Sequence, residues 1–253
     1  MKIGIIIPAR LQSERLPNKV LRPFLGKVMI EHVWKRANLI QEKVEIVIAT
    51  DSLEIKKVCE TFGANVMLTS NNHQNGLSRS GEVAKILNWD FYIILQADEI
   101  LIDPKNLEFL IKTIKEKNSS PFYNLITNLK KISELSDRNV VKCLIRNDNS
   151  LINIFRLSGS IASEATQMAF TKKICGLFAI SHKCLNEIID LPAQIIETNE
   201  SIEQMKLIEL NYQVLGVEVK DNYPSVNTEL EANEVLEILS QDPYQKSILT
   251  QIF

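Results

Sequence analysis

Along the first 117 residues, short apolar runs alternate with longer stretches of helical periodicity. Ile3-Gly4-Ile5-Ile6-Ile7 is apolar without polar alternation, the pattern of a parallel strand buried on both faces. Ile30, Val33, Trp34 and Ala37 recur at helical spacing and predict an amphipathic helix over 29–39. A second strand is expected over 44–50, ending at Asp51. A helix follows over 53–62, with Ile55, Val58, Cys59 and Phe62 on one face and Gly63 as its stop. Residues 66–68 read as a third strand, 79–88 as a helix and 91–95 as a fourth strand. Asp103 as N-cap and Pro104 at the first helical position open the next helix. This alternation predicts a mainly parallel α/β sheet flanked by helices, with right-handed crossovers. Ligands of such sheets bind beyond the strand C-termini, so the polar segments 8–19, 50–51, 69–79 and 96–99 are expected on one rim.

The second half is less regular. Strands are expected over 122–129, 140–146, 174–180 and 214–219, with a turn at 147–150 leading into a hairpin partner over 151–155. The small, polar stretch 157–169 reads as a mobile loop. Helices are expected near 182–190 and 201–210, where Ile202, Met205 and Ile208 are set to share a buried face, and the last substantial helix over 228–240. With no repeat and no low-complexity linker, 1–253 reads as one domain. Within it, a regular half over 1–117 is followed by a smaller mixed α/β portion over 118–220 and a C-terminal segment with a helix over 221–253.

Composition limits the function classes. The 253 residues are 45% hydrophobic and 24% charged, enough for a large core, and the net charge of −2 argues against a nucleic acid polymer or an anionic membrane as partner. No apolar run approaches the roughly 18 residues of a membrane span. The apolar start is interrupted by Pro8 and Arg10, which favours a buried strand over a signal peptide. Cys59, Cys143, Cys175 and Cys184 are scattered without zinc-site spacing, so reduced thiols and a cytoplasmic location are the default. Local charge is more telling. The loop after the first strand offers Arg10, Arg15, Lys19 and backbone N–H groups, which can cradle a triphosphate, yet it lacks the glycines of a P-loop. Asp98, just past an apolar strand, is placed to hold a divalent cation against phosphates, or to cap the turn before Pro104.

Ordered motifs then carry a resemblance. They are Ile6-Ile7-Pro8-Ala9-Arg10, Ser13-Glu14-Arg15-Leu16-Pro17-Asn18-Lys19, Gly26-Lys27-Val28-Met29-Ile30, Ala49-Thr50-Asp51, His73-Gln74-Asn75-Gly76-Leu77-Ser78-Arg79, Gln96-Ala97-Asp98-Glu99, Asn139-Val140-Val141-Lys142, Glu200-Ser201-Ile202-Glu203-Gln204 and Val226-Asn227-Thr228. This series resembles the 3-deoxy-manno-octulosonate cytidylyltransferases over nearly the whole chain. The resemblance implies a nucleotide-diphospho-sugar transferase-like fold in which 1–117 is the nucleotide-binding half, 118–220 the acceptor-binding and dimerisation portion and 221–253 the C-terminal metal-site segment and helix. It also implies attack of a sugar-acid hydroxyl on the α-phosphorus of CTP with release of pyrophosphate, for bacterial lipopolysaccharide or capsule synthesis. The implied catalytic residues are Arg10, Lys19 and Asp98. Pro8, Ala9, Ser13, Arg15 and Gln96 join the substrate site, and His73, Gly76, Ser78 and Arg79 lie near cytosine and ribose. Glu203 and Gln204 are implied contacts to the small acidic acceptor, Asp98 and Asn227 ligands of Mg2+, and the assembly a homodimer.

The chain also departs from the family pattern. Ala97 and Ile100 replace a Gly and a Pro. Asn227 stands where the family has a metal-binding Asp, which removes one negative charge; Asp221 and Glu229 are the nearby carboxylates that could compensate. Otherwise Asn227 or Thr228 is simply the cap of the last helix. Ile174 and Ser181 replace a His and an Arg expected near the sugar acid, and Phe155-Arg156-Leu157-Ser158 replaces a Ser-Arg-x-x-Ile-Pro stretch. These losses imply a changed acceptor, such as another glycan acid or a phosphorylated small molecule, or a catalytically weak nucleotide-binding paralogue.

Overall fold

In the computed structural model, which describes residues 1–13, 15–220 and 222–253, the first strand β1 (Ile3–Ala9) is buried along its whole length. It pairs in parallel with β4 (Glu45–Thr50) on one side and β6 (Phe91–Leu95) on the other, and β4 pairs in parallel with β5 (Asn65–Leu68). Between β1 and β4 lie a two-residue hairpin, β2 (Pro23–Phe24) with β3 (Lys27–Val28), and helix α1 (Met29–Ala37). Helices α2 (Leu53–Thr61), α3 (Gly76–Ala84) and α4 (Pro104–Lys117) follow β4, β5 and β6.

The second half extends the same sheet. β7 (Phe122–Asn128) and the long β10 (Thr171–Ser181) join it, with β10 antiparallel to both β6 and β7, and β11 (Val214–Glu218) pairs in parallel with β7. The order is β11-β7-β10-β6-β1-β4-β5, and the hairpin of β8 (Lys142–Ile145) and β9 (Leu151–Phe155) hangs from β10. The helices of this half are α5 (Glu164–Phe170), α6 (His182–Ile188), α7 (Ile195–Glu200), α8 (Met205–Glu209), α9 (Glu229–Gln241) and α10 (Pro243–Ile252). Apolar clusters cover both faces of the sheet, so its strands read as continuous hydrophobic runs.

Several expectations are corrected. The stretch expected to be a mobile loop contains α5, whose N-cap Ser163 accepts the Thr166 N–H. The helix expected over 201–210 begins only at Met205, because Ser201 takes a left-handed φ of 52° and ends α7 there. Ile202 and Met205 are buried, but Ile208 is only partly so. α3 starts three residues earlier than expected, set by a capping box in which the Ser78 N–H donates to Asn75 Oδ1. The last helix is α10 rather than α9, and the cap and first position at Asp242 and Pro243 are its signal.

Gly4 shows how tightly one face is filled. A Cβ there would lie 2.2 Å from Cζ3 of Trp89, whose side chain is almost fully buried over β1. Gly4→Ala is expected to cost about 1–3 kcal/mol through overpacking, read as a lower urea midpoint; an unchanged midpoint would show that Trp89 yields without cost.

Candidate active site

The C-terminal ends of β1 and β6 and the start of α3 open onto a cavity of about 890 Å³. Every site residue expected from the sequence lines it except Ser78. The Ser78 hydroxyl instead donates to the Asn75 carbonyl within the cap of α3.

The loop after β1 supplies the cations. Asn18, in the left-handed region at φ 53°, turns the chain into a short 3-10 segment that begins at Lys19. The Lys19 ammonium donates to Asp98 Oδ2 at 2.7 Å and reaches Asn227 Oδ1 at 3.4 Å. Arg15 donates to the same Asn227 oxygen at 3.2 Å and to Asn139 Oδ1. Three distant segments therefore meet on two cations. The Val226 N–H donates to the Asp98 carbonyl at 3.1 Å, which fixes the C-terminal segment beside the β6 loop. Thr228 is the cap of α9, as the alternative reading had it, and Glu231 accepts from both the Asn227 and Thr228 N–H groups. The Asn227 side chain is left to face the cations. Glu229 does not compensate for it, because its carboxylate pairs with Arg22 at 2.5 Å. Asp221 lies outside the described residues.

The segment expected near cytosine and ribose is largely engaged within the protein. Arg79 is buried and bridges Asp51 Oδ2 at 3.1 Å and Thr69 Oγ1 at 2.5 Å, while His73 pairs with Glu82. Gly76 allows close approach: a Cβ would stand 3.0 Å from Pro8 Cγ and 3.2 Å from Gln96 Nε2.

Two carboxylates sit deeper. Glu203 accepts from the Leu77 N–H at 2.7 Å and Gln96 Nε2 at 2.6 Å, tying the second half to α3 and the β6 loop. Burial pushes its carboxyl up to about 7. Gln204 is buried and donates to Asn124 Oδ1 at 3.2 Å. Glu99, equally raised to about 7 by burial and by the neighbouring Asp98, accepts from the Gly176 N–H at 3.0 Å. A Cβ on Gly176 would lie 2.3 Å from that Glu99 oxygen.

The same cavity is lined by three cations that the sequence reading did not assign to the site, Arg138, Arg156 and Lys173. Nothing in their spacing marks them; strand pairing and the Arg156 contacts bring them there. Ile174 lines the cavity, as expected of the position where a His was anticipated. Ser181 does not. It pairs with Phe91 at the start of β6, at the end of the strands away from the cavity, and caps α6, so an Arg lost there removes nothing from the cavity.

The profile of the cytidylyltransferases matches residues 4–214. The chain belongs to the cytidylyltransferase family. It is 33% identical over 230 residues to 3-deoxy-manno-octulosonate cytidylyltransferase of Chlorobium limicola, covering 90% of this chain and 93% of that one. It is 32% identical over 233 residues to 8-amino-3,8-dideoxy-manno-octulosonate cytidylyltransferase of Shewanella pealeana, covering 90% and 94%. Among solved structures, CMP:2-keto-3-deoxy-manno-octonic acid synthetase complexed with CTP superposes with a TM-score of 0.88 at 29% identity, covering 96% of this chain and all of that one. The family resemblance drawn from the motifs thus holds along the whole chain, and the cytidylyltransferase has the expected α/β fold.

The raised Glu203 carboxyl has a defined sign for stability. Its protonated form is favoured in the folded state, so its contribution is full below the ordinary 4.5 and lost as pH rises through about 7. Glu203→Gln should therefore lose less stability than wild type between about pH 5 and pH 8 in urea titrations, with Glu99 retaining part of the slope. Equal losses in the two proteins would show that Glu203 ionises as freely folded as unfolded.

Proposed function

We propose that this cytidylyltransferase moves CMP from CTP to a 3-deoxy-manno-octulosonate-like sugar acid. The acceptor hydroxyl oxygen bonds to the α-phosphorus as the bond to pyrophosphate breaks. The observation that carries the reading is the meeting of Arg15, Lys19, Asp98 and Asn227 on the wall of one cavity that Arg10, Arg138, Arg156 and Lys173 also line. Arg10, Arg15, Lys19 and the backbone of the β1 loop bind the triphosphate. Arg15 and Lys19 exchange their amide and carboxylate partners for phosphate oxygens and so balance the charge that grows on them. Pro8, Ala9, Gly76 and Gln96 shape the nucleoside end, where close backbone contact is possible, and Arg79 holds that loop in place.

The donor chemistry fits Mg2+. The Asp98 carboxylate and Asn227 amide oxygen converge on one Lys19 ammonium, and Mg2+ commonly takes one or two protein oxygens with the rest from phosphates and water. Bound Mg2+ would neutralise phosphate charge. Asp98 supplies the only carboxylate of this pair, since position 227 is Asn. The protein is placed by this reading in the cytoplasm and in bacterial surface-glycan synthesis. All four cysteines are free and buried, which suits a reducing compartment. We infer a homodimer, for which exposed Ile152, Leu157, Ile161 and Phe170 in the second half offer apolar surface.

Pyrophosphate release with CTP, Mg2+ and a panel of acids tests the reading. Turnover is expected with 3-deoxy-manno-octulosonate or its 8-amino relative. CTP binding without turnover on any acid would point instead to a nucleotide-binding paralogue, and turnover on an unrelated acceptor to a changed specificity. Lys19→Met is expected to lower kcat by about a hundredfold or more, the scale of losing one group that stabilises developing charge. Asn227→Asp restores a second carboxylate and should lower the Mg2+ concentration giving half-maximal rate; an unchanged requirement would reject Asn227 as a ligand.

A further inference from the structure

Most cations on the cavity wall are already engaged. Lys19 is paired with Asp98, Arg79 with Asp51 and Lys173 with Glu134, and Arg15 is held by the Asn139 and Asn227 side-chain oxygens. Arg156 spends its donors on backbone carbonyls: Nε on Glu200 at 2.7 Å, Nη1 on Arg138 at 2.7 Å and Nη2 on Ser201 at 2.9 Å. Among the described residues that leaves the guanidinium groups of Arg10, on the triphosphate loop, and Arg138, in the loop between β7 and β8.

The loop bearing Arg138 is held from several sides. The fully buried Lys142 sends its ammonium to the Asp137 carbonyl at 2.7 Å and the Val140 carbonyl at 2.8 Å. Arg156 takes the Arg138 carbonyl itself, Asn139 accepts from Arg15, and the Asn139 N–H donates to Asp137 Oδ1 at 2.8 Å. A loop whose carbonyls are bound by buried or partly buried cations has a fixed backbone, and the exposed Arg138 is the member with an uncommitted charge. Fixing the backbone lowers the ordering cost of a contact made by the side chain. An uncommitted guanidinium suits a carboxylate, which it can meet with two parallel N–H donors.

We propose that Arg138 is a specificity-determining residue that binds the carboxylate of the sugar-acid acceptor, with Lys142 and Arg156 positioning its loop. This rests on the proposed cytidylyl transfer to such an acid. It places a cation in the acceptor half at a position that the family motifs did not single out.

The test compares wild type, Arg138→Gln and Arg138→Lys with CTP, Mg2+ and 3-deoxy-manno-octulosonate, its 8-amino relative and the methyl ester of each acid. Arg138→Gln should raise KM for the free acids about ten- to a hundredfold, the scale of losing a charge-assisted hydrogen bond, while CTP affinity by calorimetry stays at the wild-type value. Arg138→Lys should fall between. Wild type should prefer acid to ester, and Arg138→Gln should narrow that preference. A merely structural role would lower both acid and ester turnover alike. Unchanged KM for the acids, an equal loss of CTP affinity, or an undiminished acid-over-ester preference would overturn the inference alone. Wild-type protein that uses neither acid would overturn the proposed function and this inference with it.

Discussion

The cavity depends on the Lys19 ammonium set between Asp98 and Asn227. These oxygens come from segments 79 and 208 residues away in sequence, and the ammonium adds a charged tie to the backbone bond from Val226 to Asp98 that already joins them. The sheet makes the encounter possible, because parallel β1 and β6 end on the same rim. Arg15 repeats the device one step outward, drawing Asn139 to the same asparagine. A cation that gathers protein oxygens in this way is preorganised for phosphate oxygens, since exchange needs no new charge to be buried.

Much of the first half was legible because each step there is local. Continuous apolar runs report strands buried on both faces, and Asp103-Pro104 reports a helix start through its own cap. The rim followed from topology, so all but one of the expected site residues reached the cavity. What escaped was set by pairing between distant strands. β10 runs antiparallel between two strands, which sends Ser181 to the opposite end of the strands although Ile174, seven residues earlier, stays at the cavity. No periodicity within β10 carries that information. Arg138, Arg156 and Lys173 escaped for the same reason: Arg156 reaches the wall because its guanidinium ties together segments 138 and 200–201.

The site is also unusual in how it treats its carboxylates. Glu99 and Glu203 are both shielded and both raised to about 7, while Asp98 is kept beside a lysine. Burial therefore makes Glu99 and Glu203 reluctant to ionise. The reluctant pair serve as struts. Glu99 leans on Gly176, where any side chain would collide, and Glu203 spans α3 and the β6 loop.

Glu231 accepts the N–H of Thr228, which caps α9, and the N–H of Asn227, whose side chain meets Lys19 and Arg15. The helix start and the cavity wall thus share one carboxylate. By linkage, whatever stabilises Asn227 in its present orientation also stabilises the first turn of α9, and fraying of that turn weakens the wall by the same free energy. A ligand that engages the Asn227 side chain should then be visible as slower amide exchange in the first turn of α9.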